Sequence, residues 1–514
     1  MALLQRYPKA RQNRISGTDK SIRKTRINFL KAAGLNFLLL QILFLGLFCY
    51  IFGAIWRQAF HLDNMNVLFV DYDGGVLGTA VRDAYKTLQG NTFPTLQEST
   101  LDRFQAPSDI REAVCKARYW GAIYTSPGAS ERLANALPGG VAADTYNRSD
   151  VLTFVWNEAR YPTIVDPDIE GTLTTLSSAA RIAYSTLNGT GALQILNSTD
   201  PAAISVFTNP WQLTNVNLQQ TAQGSRIIYN TLVIILILIQ EFFYLGTING
   251  LYASFKFYAK FYPHRIIAYR MGVSLAYTFC GSLCVTGAIW AFRGDWDVNS
   301  NQLGLTWAIL WLFAHLNFLW LDVFTIWTPP QYVPMVFITW VIFNVTSILV
   351  PFELTPGFYR WAYAMPAHEV FQVLLDIWSK GCNPQLYYAL PVLFVLELIG
   401  LLLGAVGVFR RCHYAVILEE ASEAAFRDRV AVAVAAEKRL ILERKQHTAE
   451  GDEDIATEEK REESELEDVI REENKELQRK HTKVASDCRY GPAFPLAFNK
   501  DASDSSIDTK SQEV

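Results

Sequence analysis

Long apolar stretches almost free of charge constrain this chain more than anything else in it. The first, "GLNFLLLQILFLGLFCYIFGAIW" over residues 34–56, is about as long as a helix that crosses a hydrocarbon core. Polar sequence precedes it and no small-residue cleavage site follows, so it reads as a signal anchor that stays in the chain. Stretches of the same kind lie at 227–249, 266–292, 303–326, 332–352 and 387–409. Half of the 514 residues are hydrophobic, but they gather in these runs while the charges gather at the two ends. A soluble chain of this length would spread them over several domains. The expected fold class is an α-helical polytopic membrane protein with six transmembrane helices. An α/β extracytoplasmic domain is expected between helices 1 and 2.

Lysine and arginine set the orientation. Arg6, Lys9, Arg11, Arg14, Lys20, Arg23, Lys24, Arg26 and Lys31 precede the first span against a single acid, Asp19. That places the N-terminus in the cytoplasm. Alternation then puts 57–226 outside, the turn with Lys256, Lys260 and Arg265 inside, "RGDWDVNSNQ" outside, and Arg410 and Arg411 inside. The resulting domains are a basic cytoplasmic N-terminus (1–33), the first span (34–56) and the outer domain (57–226). They continue with spans 2 to 6 (227–409), holding an outer aromatic re-entrant segment (353–386), and a charged cytoplasmic tail (410–514). Asn-x-Ser/Thr sequons at Asn147, Asn188 and Asn197 all fall in the segment assigned outside, where N-glycosylation occurs. The net charge of −4 averages a basic start and an acidic end, and excludes nothing by itself.

In the outer segment, "NVLFVDY" reads as a strand and "GTAVRDAYKTLQ" as a helix. "SDIREAVCKARY" follows as a helix, "WGAIYTS" as a strand, "GASERLANAL" as a helix and "DVLTFVWNEAR" as a strand. "DIEGTLTTLSSAARIAYSTL" reads as a long helix returning toward the membrane. The strand ending in Asp71 and Asp73 raises one enzymatic alternative, a phosphate-transferring hydrolase with an Asp nucleophile and an Asp acid/base beside Mg²⁺. Such a site also needs a lysine and a downstream acidic pair, and neither motif is present. The structural alternative is a strand feeding a tight Asp-Gly-Gly turn. On that reading the chain is not an enzyme, and no cofactor or metal site is expected.

Ionisable residues inside the spans are costly and therefore informative. Glu241 lies in the second span, His315 and Asp322 lie seven apart in the fourth with Asn317 nearby, and Glu397 lies in the sixth. They form a candidate intramembrane polar path; hydrogen bonding that fixes the bundle is the plainer role. Gly272, Ala276, Cys280, Cys284 and Ala288 recur every fourth residue in the third span, a smooth ridge that suits close helix packing. The aromatic segment "LTPGFYRWAYAMPAHEVFQVLLDIWSKGC" contains "AHEVFQVLLDIW", which suits a short helix at or dipping into the outer leaflet. Of seven cysteines, only Cys115 and Cys382 fall on the oxidising side, where they could be bridged.

Together, "NVLFVDYDGGVLGTAV", "WGAIYTSPGASERL" and "PGFYRWAYAMPAHEVFQ", in that order, resemble the fungal nitrosoguanidine-resistance membrane protein family. That family is similar in layout to the membrane subunits of type-2 ABC exporters, and the resemblance spans roughly residues 25–415. It implies a plasma-membrane protein with both termini cytoplasmic, conferring resistance to toxic small molecules by export. A non-transporting regulator of phospholipid distribution or of another transporter is the alternative. The implied partners are membrane lipids, the toxic compound, a second copy in a homodimer and a separate ATPase subunit; no nucleic acid is expected. The chain carries no Gly-x-x-x-x-Gly-Lys-Ser/Thr, so active export would draw on that ATPase, docked at the 250–265 turn, or on an ion gradient. The tail has a helical first part and a highly charged second part ending in a disordered composition.

Overall fold

The structure, a computed structural model, describes residues 19–20, 23–221 and 232–450. The basic residues before Asp19, the start of the predicted second span and the tail beyond Glu450, with Cys488, lie outside the described residues. The described chain falls into two units, one ending at Trp56 and the other beginning at Arg57. The first unit is a single helix, α1 (Arg23–Ala54). It takes in the basic segment as well as the apolar run, because Arg, Lys and Leu are all good helix formers.

The second unit opens with an α/β domain built on a five-stranded sheet, order β2-β1-β3-β4-β5. Its elements are β1 (Asn66–Asp71), α2 (Val76–Leu88), β2 (Thr95–Ser99), α3 (Pro107–Cys115), β3 (Gly121–Thr125) and α4 (Ala129–Ala136). They continue with β4 (Leu152–Trp156), α5 (Gly171–Ile195), α6 (Pro201–Thr208) and β5 (Thr214–Asn217). β1 runs parallel to both β2 and β3, β3 and β4 are antiparallel, and β4 and β5 are parallel. Alternation along β1 sends Val67 and Phe69 to one face, where Leu77, Val81, Leu173 and Leu176 of α2 and α5 pack. Leu68 and Val70 go to the other, where Ile110 and Val114 of α3 pack. Both faces are covered, which explains why the central strands are nearly continuous hydrophobic runs.

The remaining chain supplies α7 (Val233–Ser254), a helical turn at Phe257–Lys260, α8 (Pro263–Ala291), α9 (Ser300–Trp327) and α10 (Val333–Leu349). A shorter helix, α11 (Pro366–Trp378), precedes α12 (Leu386–Glu450), which runs unbroken from the last apolar stretch into the charged tail. Among the described residues, six helices are long and apolar enough to cross a membrane: α1, α7, α8, α9, α10 and α12. α9 is buried along most of its length and forms the centre of the bundle, as its all-round apolar sequence requires. A reciprocal cap starts it: Asn299 Oδ1 accepts from Gln302 N (2.9 Å), and Gln302 Oε1 accepts from Asn299 N (2.8 Å). Gln302 Nε2 also donates to Ile377 O (2.8 Å), which ties α9 to α11.

The sequence reads α11 as a short helix lying at or dipping into the outer leaflet. A helix lying at a leaflet surface would keep one face free, whereas every residue from Pro366 to Leu375 is buried, as is Trp378. Most of its polar groups find partners within the protein, while Glu369 Oε2 is buried with no hydrogen-bond partner among the described residues. Asn344 Oδ1 accepts from Ala367 N (3.1 Å), Gln372 Nε2 meets His368 Nε2 (3.2 Å), and Asn383 Nδ2 donates to Gln372 O (2.9 Å). The α/β domain is seated at this end of the bundle. Tyr161 packs edge-on against Phe371 (5.0 Å between centroids), and Asn64 Nδ2 donates to Glu353 O (3.0 Å). A disulfide joins Cys115 to Cys382.

Candidate functional site

Of the four candidate ionisable residues, two meet and two have separate surroundings. His315 and Glu397 meet across α9 and α12, with Nδ1 of the imidazole against a carboxylate oxygen. The other ring nitrogen lies 3.2 Å from Ser274 Oγ on α8, and Glu397 Oε2 is buried with no hydrogen-bond partner among the described residues. Asp322 shares the face of α9 with His315 but turns to different partners, Arg270 (2.7 Å) and Arg411 (2.8 Å). Glu241 stands apart on α7, fully buried, with neither carboxyl oxygen hydrogen-bonded among the described residues. Asn317 serves packing: its Oδ1 accepts from Trp340 Nε1 (2.9 Å).

The His315–Glu397 pair closes off a lateral cleft of about 550 Å³. Trp311, Leu312 and Ile309 of α9, Val373 and Ile377 of α11, and Leu390 and Phe394 of α12 line its walls. Asp376 of α11 also lines it; half-burial pushes its carboxyl up, and a hydrogen bond from Asn383 N (3.2 Å) offsets part of that rise. An apolar chamber of this size with a few convergent polar groups is the usual form of a small-molecule site. What it offers a ligand is an apolar wall for a hydrophobic body, ended by the His315–Glu397 pair, whose one unsatisfied acceptor, Glu397 Oε2, lies buried just behind that wall.

The Asp71/Asp73 turn is arranged differently. Asp71 Oδ1 accepts from Asp73 N (3.2 Å), Gly74 N (3.0 Å) and Thr125 Oγ1 (2.7 Å), and Oδ2 accepts from Arg82 Nη2 (2.7 Å). Asp73 accepts from Ser130 N (2.8 Å) and from the Ser130 hydroxyl. The two carboxylates tie the end of β1 to β3, α2 and α4. Gly78 makes this arrangement possible, since a Cβ there would fall 1.9 Å from Asp71 Oδ2. Among the described residues no group of three or more His, Cys, Asp or Glu side chains is placed to hold a metal ion.

The three sequons are placed as follows. Asn147 is exposed in the loop before β4, Asn188 is half-buried on α5, and Asn197 is half-buried just after that helix. The small-residue ridge of α8 is also exposed at all five positions; the face that packs inside the chain carries Ser274, Thr278, Gly281 and Ser282 instead. Sequence reasoning missed the burial of Arg270 and Arg411. Counting positive charge assigns Arg411 to the inner side, and Arg270 falls inside the 266–292 stretch without being named among its ionisable residues. The available signal was an arginine inside "IIAYRMGVSLAY", with apolar residues on both sides.

Apolar, membrane-length helices, with an α/β domain in the chain between the first and second of them, are the architecture of a multi-pass helical membrane protein. Residues 36–402 match the model of a family described as Protein of unknown function (DUF3533), and the chain belongs to that family. No solved structure matches it.

Proposed function

We propose that this protein is a permease of the plasma membrane that exports amphiphilic toxic small molecules, nitrosoguanidine-type compounds among them. The observation that carries this reading is the lateral cleft, apolar along its walls and ended by His315 and Glu397. A substrate would lay its apolar part against Trp311 and Phe394 and exchange hydrogen bonds with the free oxygen of Glu397. The Cys115–Cys382 disulfide favours the orientation given by the positive charges, because both cysteines then lie on the oxidising side with the α/β domain. Exposed Asn147 agrees with that side. The energy source is an ATPase subunit docked at the 250–265 turn or an ion gradient drawn through the buried acids. A homodimer seated on the exposed α8 ridge completes the reading, by analogy with the exporters that the sequence resembles.

The test is efflux of a preloaded nitrosoguanidine-type compound from cells with the protein, without it, and with Glu397→Gln or His315→Ala at matched membrane levels. Faster efflux with the protein is expected, falling by about tenfold in either variant, the loss of one charge-assisted hydrogen bond. Equal efflux in all cells, with resistance still conferred, would reject export and turn attention to phospholipid distribution.

A further inference from the structure

At the end of the bundle away from the α/β domain, two arginines share one acid. Arg270 of α8 and Arg411 of α12 both approach the same oxygen of Asp322 on α9, and all three residues are at most 5% exposed. Arg270 is otherwise well supplied: its Nη1 donates to Tyr258 Oη (2.8 Å) and Asn249 Oδ1 (3.3 Å). Arg411 is not. Its Nη2 donates to Thr325 Oγ1 (2.7 Å), but Nε and Nη1 are buried with no hydrogen-bond partner among the described residues. The cluster therefore keeps one positive charge and two unused donors inside a low-dielectric bundle, where both are expensive.

The ring of Tyr258 lies 5.8 Å from the Arg411 guanidinium and forms part of the wall of a cleft of about 630 Å³ on its other side. Lys260 stands in that cleft with His413 and one acid, Glu420, and Phe261, Phe409 and Val416 give it apolar wall. A lysine beside an apolar trough, with an unsatisfied guanidinium one side chain deeper, matches a phosphate attached to hydrocarbon chains, which would take a place clear of Glu420. A guanidinium binds phosphate through paired N–H donors, which Arg411 has free. We propose that Arg411 and Lys260 bind the phosphate of an anionic membrane lipid, whose chains lie along Phe261, Phe409 and Val416. Tyr258 stands between the trough and Arg411, and the phosphate enters at the expense of the bond that its hydroxyl accepts from Arg270, which the phosphate oxygens replace. This site is separate from the His315–Glu397 cleft and does not depend on what that cleft carries.

The experiment uses the full chain purified in detergent and follows its thermal midpoint against three probes. These are a short-chain phosphatidic acid, the diacylglycerol with the same chains, and inorganic phosphate. Phosphatidic acid is expected to raise the midpoint saturably, with the other two much weaker. Arg411→Gln, which leaves a neutral Arg270–Asp322 pair, is expected to weaken the phosphatidic acid effect about tenfold or more. Val416→Trp fills the trough from its exposed wall without touching the arginines and is expected to weaken it as well, so the idea is tested even if Arg411→Gln does not fold. Equal stabilisation by diacylglycerol would overturn the phosphate contact. Equal stabilisation by inorganic phosphate would overturn the lipid assignment. Unchanged affinity in Val416→Trp, or in a folded Arg411→Gln protein, would overturn the site.

Discussion

Asp71 shows how one side chain can look catalytic in sequence and be structural in its setting. Its lone pairs are taken by two backbone amides, the Thr125 hydroxyl and the Arg82 guanidinium, and its side chain is only 5% exposed. In this arrangement the carboxylate holds the β1–α2 turn. The geometry makes a sharp prediction at Gly78. Gly78→Ala puts a methyl group into the Asp71 carboxylate and is expected to destabilise the α/β domain by about 1–3 kcal/mol, as overpacking does. Gly189→Ala on α5, with nothing within 4 Å of the added carbon, is the control without a clash. Thermal unfolding of the two purified variants checks it. If Gly78→Ala melts with the wild type, the carboxylate is free to move and the structural account of Asp71 fails.

At the scale of elements, legibility in the sequence followed burial pattern. β1, β3 and β4 could be read because each is apolar and buried on both faces. β2 ("TLQES") and β5 ("TNVN") could not: they are short, polar edge strands, which is how a sheet blunts its edges and also what hides them from a hydrophobicity pattern. Among site residues, His315 and Glu397 stood out as ionisable groups in apolar runs, but nothing local indicated that they would touch, since the contact joins positions 82 residues apart. The α8 ridge was legible as a packing surface, but its partner was not. Among the described residues its five positions are exposed, so the homodimer of the proposed function places it against its copy in a second molecule. Mild oxidation of membranes carrying Cys49→Ser protein is then expected to yield a disulfide-linked dimer through Cys280 or Cys284, both exposed. A dimer that forms equally with both ridge cysteines changed to serine, or no dimer at all, would remove the ridge from the interface.

Across the whole molecule, the α/β domain and the cleft are connected through α11. The Cys115–Cys382 bridge links α3 to the segment just after α11 across 267 residues of chain. Tyr161 presses on Phe371 of the same helix, and α11 in turn supplies Val373, Asp376 and Ile377 to the cleft wall. A cross-link closing so long a loop limits the unfolded ensemble, and its loss is expected to cost about 2–4 kcal/mol. The structural consequence is more specific than the energy. With Cys115→Ser and Cys382→Ser together, the domain keeps its own core but loses one of its fixings to the bundle. Hydrogen exchange should therefore rise in α3 and α11 while β1, β3 and the middle of α9, buried independently of the bridge, stay protected. Because α11 forms one wall of the cleft, efflux by the double variant should fall in step with that loosening. Unchanged exchange in α11 would mean that the aromatic and backbone contacts alone hold the domain, and the route from domain to cleft would have to be sought elsewhere.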